Sequence, residues 1–484
     1  MTDAPVSGPP AGRGGDGHDR DSLGDGFNDD TDRTARERRD AASSPESLPP
    51  GPEGLPIVGN TFRFVRDPFG FYDVLQAYGD VVGYSIAGYD FVTLLHPDEI
   101  ERVLLTDAST YEKGGILQQS GVELMEEGVL LTEGETWRRQ RTAMQPMFYR
   151  ERIAAYADVM ADYAAETVES WRDGETVDLL NELSTLALRI LAKSLFDVDS
   201  RERERAIRRG AEAIQERSDA SSLTSFLPKW LPTPTNRRFR RATAEFEATV
   251  ETLVAEHRAA DDAGDDLLSL LLGVEYDDGS AMSEREVRDQ LVTFLFAGHE
   301  TTSLAMTYTL YLLAQHPDRL RKLRTEIDDV VDGRPTAADA LELDYAERVL
   351  TESMRCYPPA YILFRQPTET VELGGYRVPA GTNITLPLFR VHNDPRFYDD
   401  PEAFRPERWT DEMESALPDY AYFPFGGGPR HCLGMRFAML ELKLVLATVV
   451  SRVEFDIVGE RSLTFRPGAT LQPKDPIRMR VWRR

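Results

Sequence analysis

The sequence predicts a mainly α fold with a smaller β region, built as one large domain. From about residue 97 to residue 360, apolar residues recur at the three- and four-residue spacing of amphipathic helices. Short apolar stretches flanked by Gly, Pro and Asp lie at 81–95, 361–388 and 453–481, and this pattern is typical of strands. The chain has no internal repeat, so a repeat architecture is excluded.

The clearest single elements are a hairpin and a long helix. Val81–Ile86 and Phe91–Leu95, joined by a short turn, are predicted to pair as a β-hairpin. A long apolar helix is predicted to begin after Ser283 and to end near His316, because Ser283 and Glu286 form the N-cap and N3 positions of a capping box. The remaining predicted helices cover Trp137–Arg150, Asp344–Tyr357 and Met435–Val450, and the remaining predicted strands cover Glu369–Leu373, Tyr376–Val378, Ile384–Leu388, Val453–Val458 and Ile477–Val481.

Residues 1–45 are predicted to be a disordered acidic tail, because Gly, Asp, Arg, Ser and Pro dominate there and large apolar residues are nearly absent. One folded domain is expected from residue 46 to residue 484. The longest apolar runs, such as Leu267–Leu272 and Leu444–Val450, are far shorter than the ~18 residues of a membrane span. No apolar segment near the start resembles a secretory signal, so we expect a cytoplasmic protein without a transmembrane segment.

The chain is strongly acidic, with a formal net charge of -27 from 83 Asp and Glu against 56 Lys and Arg. Only six of the 56 basic residues are Lys. This balance argues against nucleic acid and anionic membranes as partners. It favours a protein that stays hydrated in high salt, where counterions screen self-repulsion, and hence a halophilic source. A GC-rich genome combined with ordinary acidity is the alternative explanation.

The cysteine content predicts chemistry at a single thiolate. The two cysteines, Cys356 and Cys432, are too few for a disulfide framework or a Cys-rich zinc site. Cys432 lies in a Gly-rich loop directly before a predicted helix, where the helix dipole and nearby Arg430 favour a thiolate, and Gly434 leaves room for a large flat group. A buried free cysteine is one alternative, and a catalytic nucleophile, for which no base is evident, is another.

Two helix motifs carry polar side chains that could serve chemistry. Glu352 and Arg355 lie three residues apart on one helix face, where they can pair. In the long apolar helix, the small residues at 297–298 open space against the helix face, and an acid and a hydroxyl follow at Glu300 and Thr301. A Thr hydroxyl can bond back to the carbonyl four residues earlier, so we expect a local kink or groove there. A solvated ion pair and a kinked core helix are the structural alternatives.

Together these motifs resemble the cytochrome P-450 family. Residues 425–434 match the family's cysteine-loop pattern, Phe-x-x-Gly-x-Arg-x-Cys-x-Gly, at every fixed position. The Ala-Gly-x-Glu-Thr-Thr segment at 297–302, the Glu-x-x-Arg pair at 352–355 and Phe-Arg-Pro-Glu-Arg-Trp at 404–409 are similar to other motifs of that family. The resemblance covers about nine-tenths of the chain, residues 48–484. It implies the cytochrome P-450 fold and haem b as the cofactor, with Cys432 as the thiolate ligand of the iron.

The resemblance also implies roles for individual residues. Thr301 would hydrogen-bond bound dioxygen, and Glu300 would help to relay protons to it. Glu352, Arg355 and Arg408 would form a buried ion cluster behind the haem and fix the geometry of the cysteine loop. The residues implied in haem binding, where Trp137 and the arginines would contact the propionates, are Trp137, Arg141, Ala297, Gly298, Arg365, Phe425, Arg430, Cys432 and Gly434.

The implied activity is that of a haem-thiolate monooxygenase, which inserts one atom of dioxygen into a lipophilic small molecule such as a fatty acid or a terpenoid. A peroxide-driven peroxygenase and a non-catalytic haem-based sensor are the alternatives, and the pair of Thr301 and Glu300 argues against both. The expected pocket lining is mostly apolar and comprises Phe294, Ala297, Thr301, Ile362–Phe364, parts of 112–131 and Ala469–Leu471.

Electrons are expected from a separate ferredoxin or flavodoxin with its reductase, because no reductase segment follows the cysteine loop. Arg138, Arg139, Arg436 and Lys443 are predicted to form a basic island on the cysteine side that docks such an acidic donor. Ordinary solvated charge is the alternative for these four residues. We expect the protein to be a monomer.

Overall fold

Helices dominate the middle of the chain, as the spacing of its apolar residues predicts. The computed structural model describes residues 48–114, 125–197, 203, 205–210, 213, 233–259 and 266–484, so the predicted tail at 1–45 and part of the predicted pocket wall lie outside the described residues. The described α-helices are α1 Thr61–Arg66, α2 Pro68–Gln76, α3 Pro97–Glu101, α4 Gly134–Met144, α5 Arg150–Ala154, α6 Ala157–Ser170, α7 Leu179–Phe196, α8 Pro234–Ala259, α9 Leu267–Leu272, α10 Glu284–Gln315, α11 Pro317–Val330, α12 Asp339–Glu342, α13 Asp344–Cys356, α14 Leu388–Val391, α15 Asp411–Ala416 and α16 Met435–Arg452. The described strands are β1 Val81–Ile86, β2 Tyr89–Leu94, β3 Tyr111–Glu112, β4 Thr176–Asp178, β5 Leu363–Pro367, β6 Val371–Leu373, β7 Tyr376–Val378, β8 Asn383–Leu386, β9 Val453–Ile457, β10 Phe465–Pro467, β11 Leu471–Pro473 and β12 Arg478–Arg483.

The long helix α10 forms the centre of the helical region. Its predicted capping box is confirmed, since the Glu286 amide donates to the Ser283 hydroxyl and the Ser283 amide donates to the Glu286 carboxylate. Most of its side chains from residue 287 to residue 313 are buried, which is typical of a helix enclosed on all sides. Helix α7 packs so closely against Gly298 that a Cβ atom there would lie 2.9 Å from Cδ1 of Leu191. This close approach is the packing reason for a glycine in the middle of the helix.

Strands β1, β2, β8, β5 and β3 form a five-stranded sheet in that order. The predicted hairpin is confirmed, with Val81 opposite Leu94 in the antiparallel pair β1 and β2. Strand β8 pairs parallel with β2 and antiparallel with β5. Strand β5 pairs antiparallel with β3, so that Glu112 lies opposite Gln366. This pairing brings Lys113, which follows β3, close to Arg365 on β5.

Smaller sheets complete the β region: a pair of β6 and β7, a sheet in the order β4, β12, β9, and a hairpin of β10 and β11. The pair of β6 and β7, together with β9 and β12, agrees with strands that the sequence predicts. Strands β3, β4, β5, β10 and β11 are absent from that prediction. Each is only two to five residues long, and alternation is hard to recognise over so few positions.

Apolar side chains fill two clusters. The larger cluster lies among the helices and includes Leu191 of α7, Leu304 of α10 and Leu446 of α16. The smaller cluster lies against the five-stranded sheet and includes Val92 and Ile384. Within the described residues, no helix is both long enough and apolar enough to cross a membrane. The architecture is the predicted mainly α fold with a smaller β region in one domain.

Candidate active site

The cysteine loop is held in a shape that depends on glycine. Cys432 donates its amide to the Phe425 carbonyl at 2.9 Å, which closes the loop just before helix α16. Gly428 has a φ of +62°, and an added Cβ atom would collide with the Leu104 carbonyl. At Gly434, in contrast, an added Cβ atom would meet nothing within 4 Å, so open space lies next to the backbone there. Gly428 thus allows a close approach of the loop to Leu104, and the open side of Gly434 is compatible with the predicted room for a large group.

The Cys432 thiol lies in an enclosed space. Its side chain has exposed surface, yet burial raises the pKa of the thiol above its ordinary value of 9.0. The two observations agree because the exposed surface faces a space that the protein surrounds. The Gly434 amide, Arg141 and Lys113 oppose this rise in the pKa, but burial has the larger effect. Arg141 and Lys113, rather than the predicted Arg430, therefore supply the positive charge that acts on the thiol.

Four cations gather around this space, and we call Lys113, Arg141, Arg365 and Arg430 the cation cluster. Burial, followed by repulsion from Arg365 and Arg430, lowers the pKa of Lys113 well below its ordinary value. Burial also lowers the pKa of Arg365 and of Arg430 to about 10, and it lowers the pKa of Arg141. Buried cations that repel one another are costly unless anions compensate them. The cluster is therefore suited to a group that carries negative charge.

Few protein anions are available to the cation cluster. Arg430 pairs with Glu133, donates to the Thr132 carbonyl at 2.9 Å and lies 4.3 Å above the centroid of the Trp137 ring. Arg365 donates to the Phe364 carbonyl at 2.8 Å, and Arg141 lies 3.2 Å from Nε2 of His431. Among the described residues, Arg141 and Arg365 have no carboxylate partner. Two propionate groups would satisfy these guanidinium groups with charge-assisted hydrogen bonds.

The residues around this space fit a haem. The Cys432 thiol can supply an axial ligand to iron, the open side of Gly434 accommodates a flat macrocycle, and the cation cluster matches two carboxylates. In the described part of the chain, no three His, Cys, Asp or Glu side chains are grouped to hold a metal ion by themselves. A metal at this site would therefore depend on a cofactor that supplies most of its ligands.

Helix α10 exposes a short stretch of its wall at Ala297 and Thr301. Ala297 is exposed in the middle of the helix, although its neighbours Leu295 and His299 are buried. Thr301 is half-buried, and its hydroxyl donates to the Ala297 carbonyl at 2.7 Å. The helix continues without a break at this point, and the exposed Ala297 agrees with the groove that is one of the two predicted outcomes. A group bound against this wall would meet a methyl group and a hydroxyl.

Glu300 points to a different neighbour than its sequence position beside Thr301 suggests. Its carboxylate accepts hydrogen bonds from the Thr470 hydroxyl and from the Gln472 amide, each at 2.5 Å. Both donors belong to the hairpin of β10 and β11, which the sequence does not predict. Gln472 belongs to no motif and to no predicted range, whereas Thr470 and Lys113 lie in the predicted lining ranges Ala469–Leu471 and 112–131 but have no predicted role, since each reaches its partners by long-range pairing.

The predicted buried ion cluster is present. Glu352 and Arg355 are both 0% exposed, and their side chains form two hydrogen bonds of 2.9 Å. Arg408 donates from Nε to the Glu352 carboxylate at 2.9 Å, and so does the Trp409 indole. The Arg405 amide donates to the same carboxylate at 2.9 Å. This full set of partners compensates for the desolvation of Glu352.

A short chain of hydrogen bonds links this ion cluster to the cysteine loop. Arg355 donates to the His392 carbonyl at 3.0 Å, and the Phe423 amide donates to Nε2 of His392 at 3.0 Å. Burial and the charge of Arg355 lower the pKa of His392 to about 3, so its ring is neutral and can accept this bond. Phe423 lies two residues before Phe425, where the cysteine loop begins. The ion cluster therefore supports the loop through His392.

The predicted basic island is wrong for two of its four members. Lys443 is only 7% exposed, pairs with Glu347 at 2.6 Å and donates to the Ala340 carbonyl at 2.9 Å. Arg139 lies 4.0 Å above the centroid of the Tyr276 ring and is engaged with Glu286. The side chains of Arg138 and Arg436 are exposed. The sequence could not show that Arg139 and Lys443 are engaged, because Glu286 and Glu347 lie on other segments of the chain.

Comparison with known proteins gives matches over almost the whole folded part. Residues 49–481 match the cytochrome P-450 family. The chain is 34% identical to cyclooctat-9-en-7-ol 5-monooxygenase of Streptomyces melanosporofaciens, over 86% of this chain and 93% of that protein. It is also 34% identical to pentalenene oxygenase of Streptomyces avermitilis, over 89% and 96%. The structure of retinoic acid-bound cyanobacterial CYP120A1 is similar with a TM-score of 0.81 at 25% identity, over 90% of this chain and 99% of that chain.

Proposed function

Because this chain belongs to the cytochrome P-450 family, whose members are haem-thiolate monooxygenases, we propose that Cys432 is the thiolate ligand of its haem b. The observation that carries this proposal is the position of the thiol: it faces an enclosed space and lies near the positive charges of Arg141 and Lys113. Haem with a thiolate ligand activates dioxygen and favours cleavage of the O–O bond.

We further assign the remaining residues of the site. The cation cluster binds the two propionates, and Trp137 holds Arg430 in place by stacking against its guanidinium group. Phe425 and Gly434 shape the cysteine side of the haem, and Ala297 leaves room on the opposite side, whereas Gly298, also predicted to bind haem, is packed against Leu191 of α7 instead. The Thr301 hydroxyl orients dioxygen and passes protons, whereas Glu300 supplies protons to it. Glu352, Arg355 and Arg408 position the cysteine loop from behind.

The absorption spectrum of the reduced protein with carbon monoxide tests the ligand assignment. Thiolate ligation shifts the Soret band strongly to the red, and Cys432→His is expected to abolish this shifted band. Cys356→Ala is the matched control, because Cys356 is buried beside Arg355 and should leave the band unchanged. A haem-loaded wild-type protein without the shifted band would contradict the assignment.

We propose a terpenoid substrate, with a fatty acid as the second candidate. Two relatives are named for cyclooctat-9-en-7-ol and for pentalenene, and Phe294, Ile362 and Phe364 of the predicted pocket lining are apolar and half-buried. An apolar pocket with few polar groups suits either class. Spectral titration with cyclic terpenes and with fatty acids of equal carbon number separates them. Tighter binding and hydroxylation of the fatty acids would reject the terpenoid assignment.

We propose that a separate ferredoxin or flavodoxin, reduced by its own reductase, supplies the electrons to a monomeric enzyme. Arg138 and Arg436 are exposed on helices α4 and α16, and an acidic donor would be attracted to them. Reconstitution with such a donor and its reductase should give product from dioxygen. Faster product formation from hydrogen peroxide alone would favour a peroxygenase, and binding of gas without any product would favour a sensor.

We also propose that the protein works in the cytoplasm of a halophile. The net charge of -27 and the presence of only six Lys among 56 basic residues support high-salt adaptation, and the two free cysteines suit a reducing compartment. The melting midpoint is expected to rise as KCl increases from about 0.1 M to about 2 M, since salt screens the self-repulsion. A midpoint that falls over this range would contradict the halophilic origin.

A further inference from the structure

The hairpin of β10 and β11 holds the Glu300 carboxylate. Glu300 is 5% exposed, and one of its oxygens, Oε1, accepts both the Thr470 hydroxyl and the Gln472 amide at 2.5 Å. Thr470 is itself buried and ends the turn that joins the two strands, while Gln472 lies on β11. A buried carboxylate has lost its hydration, so each hydrogen bond from the protein stabilises its charge. The two donors therefore help to fix where this carboxylate lies.

A second contact fastens the same stretch of the hairpin to helix α10. Tyr308 lies eight residues after Glu300, which places it two turns along the same helix face. Its hydroxyl donates to the Leu471 carbonyl, between the two donors to Glu300. Burial and the charge of Glu300 raise the pKa of Tyr308 well above its ordinary value, so the hydroxyl remains a donor. Helix α10 thus holds three consecutive hairpin residues through two side chains.

The other side of the hairpin touches a segment of the proposed pocket wall. The Leu471 amide donates to the Pro359 carbonyl at 2.8 Å, and the Tyr361 hydroxyl donates to the Gly468 carbonyl at 3.1 Å. This segment continues into Ile362 and β5, which carries Arg365. Ala469, at the tip of the turn, is exposed. Movement of the turn is therefore coupled to the pocket wall on one side and to Glu300 on the other.

Glu300 and Thr301 face different surroundings in this arrangement. Successive residues of an α-helix point about 100° apart, so neighbours in sequence do not share a face. The Thr301 hydroxyl lies on the open space at Ala297, whereas Glu300 is directed at the hairpin. For Glu300 to deliver protons toward Thr301, its hydrogen bonds to Thr470 and Gln472 must be exchanged for others.

We propose that Thr470 and Gln472 are positioning residues that hold the Glu300 carboxylate away from Thr301 until a substrate displaces the hairpin turn at 468–470. A substrate that presses on this turn weakens both hydrogen bonds and frees the carboxylate to serve proton delivery. The hairpin thereby makes proton supply depend on an occupied pocket, which limits wasteful reduction of dioxygen. This inference rests on the proposed monooxygenase function.

Dioxygen consumption in the absence of substrate tests whether Thr470 and Gln472 restrain Glu300. Wild-type protein, Thr470→Val, Gln472→Leu and the double variant are supplied with a surrogate ferredoxin and its reductase, with and without a cyclic sesquiterpene hydrocarbon. The variants are expected to consume dioxygen about three- to tenfold faster than wild type in the absence of the hydrocarbon, and their solvent isotope effect should be smaller. Glu300→Gln should remove this increase when it is combined with either variant. Unchanged substrate-free consumption, or an increase that persists with Glu300→Gln, would overturn the proposal.

Two control variants distinguish loss of the contact between Thr470 and Glu300 from a general loosening of the hairpin. Thr470→Ser retains the hydroxyl and should behave like wild type. Thr464→Val makes the same change at an exposed position just before β10 and should also leave substrate-free consumption unchanged. An increase with Thr464→Val as large as that with Thr470→Val would show that the effect comes from a loosened hairpin and would reject the assignment.

The contact itself is tested on the haem-free protein by melting midpoints. The shifts caused by Glu300→Gln and Thr470→Val should be less than additive in the double variant, because Thr470→Val removes the hydrogen bond that Glu300→Gln weakens by taking away the acceptor's charge. Fully additive shifts would contradict the contact. The carbon monoxide spectrum distinguishes the two levels of failure: a wild-type protein without thiolate-ligated haem refutes the proposed function, whereas a normal spectrum with unaltered variants refutes only the role of the hairpin.

Discussion

At the scale of single residues, Lys113 shows how strongly position decides the role of a charge. The sequence contains six Lys residues, and nothing in the local pattern around Lys113 distinguishes it from the others. Pairing of β3 with β5 brings it into the cation cluster, where burial and two arginines lower the pKa of its ammonium group. Its buried ammonium group is thus destabilising in the haem-free protein and would be stabilised by the propionates if the proposed role of the cation cluster holds.

Lys113→Met is expected to change the two states in opposite directions. The haem-free variant should melt at a higher temperature, because a buried and repelled cation is removed, whereas haem should leave the loaded variant about fivefold faster. Melting curves and haem transfer to apomyoglobin measure the two effects. Lys474→Met, at an exposed position, should change neither quantity. Slower haem loss from Lys113→Met would contradict a role in propionate binding.

Glu441 on helix α16 predicts a pH dependence of stability. Burial raises the pKa of its carboxyl group from the ordinary 4.5 to about 8, although a hydrogen bond from Thr302 opposes the rise. Between these two pH values the folded protein keeps a proton that the unfolded chain releases. The stability that the neutral group contributes is therefore complete below pH 4.5 and is lost as the pH rises through about 8.

Glu441→Gln should remove this dependence, since an amide does not ionise. From about pH 5 to about pH 9, the free energy of unfolding of the wild type should fall by about 4 kcal/mol more than that of the variant. Urea unfolding at several pH values provides the measurement. Glu412→Gln, at an exposed position, should retain the wild-type dependence. Parallel pH profiles for the wild type and Glu441→Gln would rule out a neutral Glu441 in the folded protein.

At the scale of elements, the backbone of the cysteine loop lies so close to a neighbouring segment that one added Cβ atom would disturb it. Gly428 combines a φ of +62° with a close approach to the Leu104 carbonyl, so both its conformation and its size are constrained. Gly375, in the turn between β6 and β7, has a φ of +80° but open space around it. A comparison of the two glycines therefore distinguishes the energetic cost of a positive φ from the cost of a steric collision.

Gly428→Ala is expected to lower the fraction of protein that retains thiolate-ligated haem, because the loop must move away from Leu104. Gly375→Ala should cost only about 1 kcal/mol of stability and should leave the haem spectrum unchanged. The carbon monoxide spectrum and urea unfolding of both variants supply the comparison. Equal behaviour of the two variants would show that close approach at Gly428 is unimportant.

At the scale of the whole molecule, the ion cluster at Glu352 joins segments that are far apart in sequence. Helix α13 supplies Glu352 and Arg355, the segment after β8 supplies His392, and the loop at 405–409 supplies Arg408. Each buried charge depends on the others for its hydrogen bonds. The cluster therefore makes the position of the cysteine loop a property of the assembled domain.

Glu352→Gln is expected to destabilise the protein by about 3–5 kcal/mol, because it leaves the two buried arginines uncompensated. Glu412→Gln at an exposed position should stay within about 0.5 kcal/mol of the wild type. Urea unfolding gives both values, and the loss of haem from Glu352→Gln should accompany unfolding. A change below about 1 kcal/mol for Glu352→Gln would contradict its buried, fully bonded position.

Much of this protein could be predicted from its sequence because local rules decide it. The capping box sets the start of the long helix at Ser283, turn chemistry sets the first hairpin, and glycines shape the loop around Cys432. These features depend on residues within a few positions of one another. Helix spacing likewise predicts the pair of Glu352 and Arg355, the family resemblance adds Arg408, and the structure brings the three together.

Only the tertiary structure decides where the remaining polar side chains point. Glu300 stands beside Thr301 in the chain but bonds to Thr470 and Gln472, because a helix turns consecutive side chains to different faces and the hairpin of β10 and β11 covers one of them. Lys443 is likewise buried against Glu347 rather than free for a partner. Such placements result from pairing between distant segments, about which the local spacing of residues carries no information.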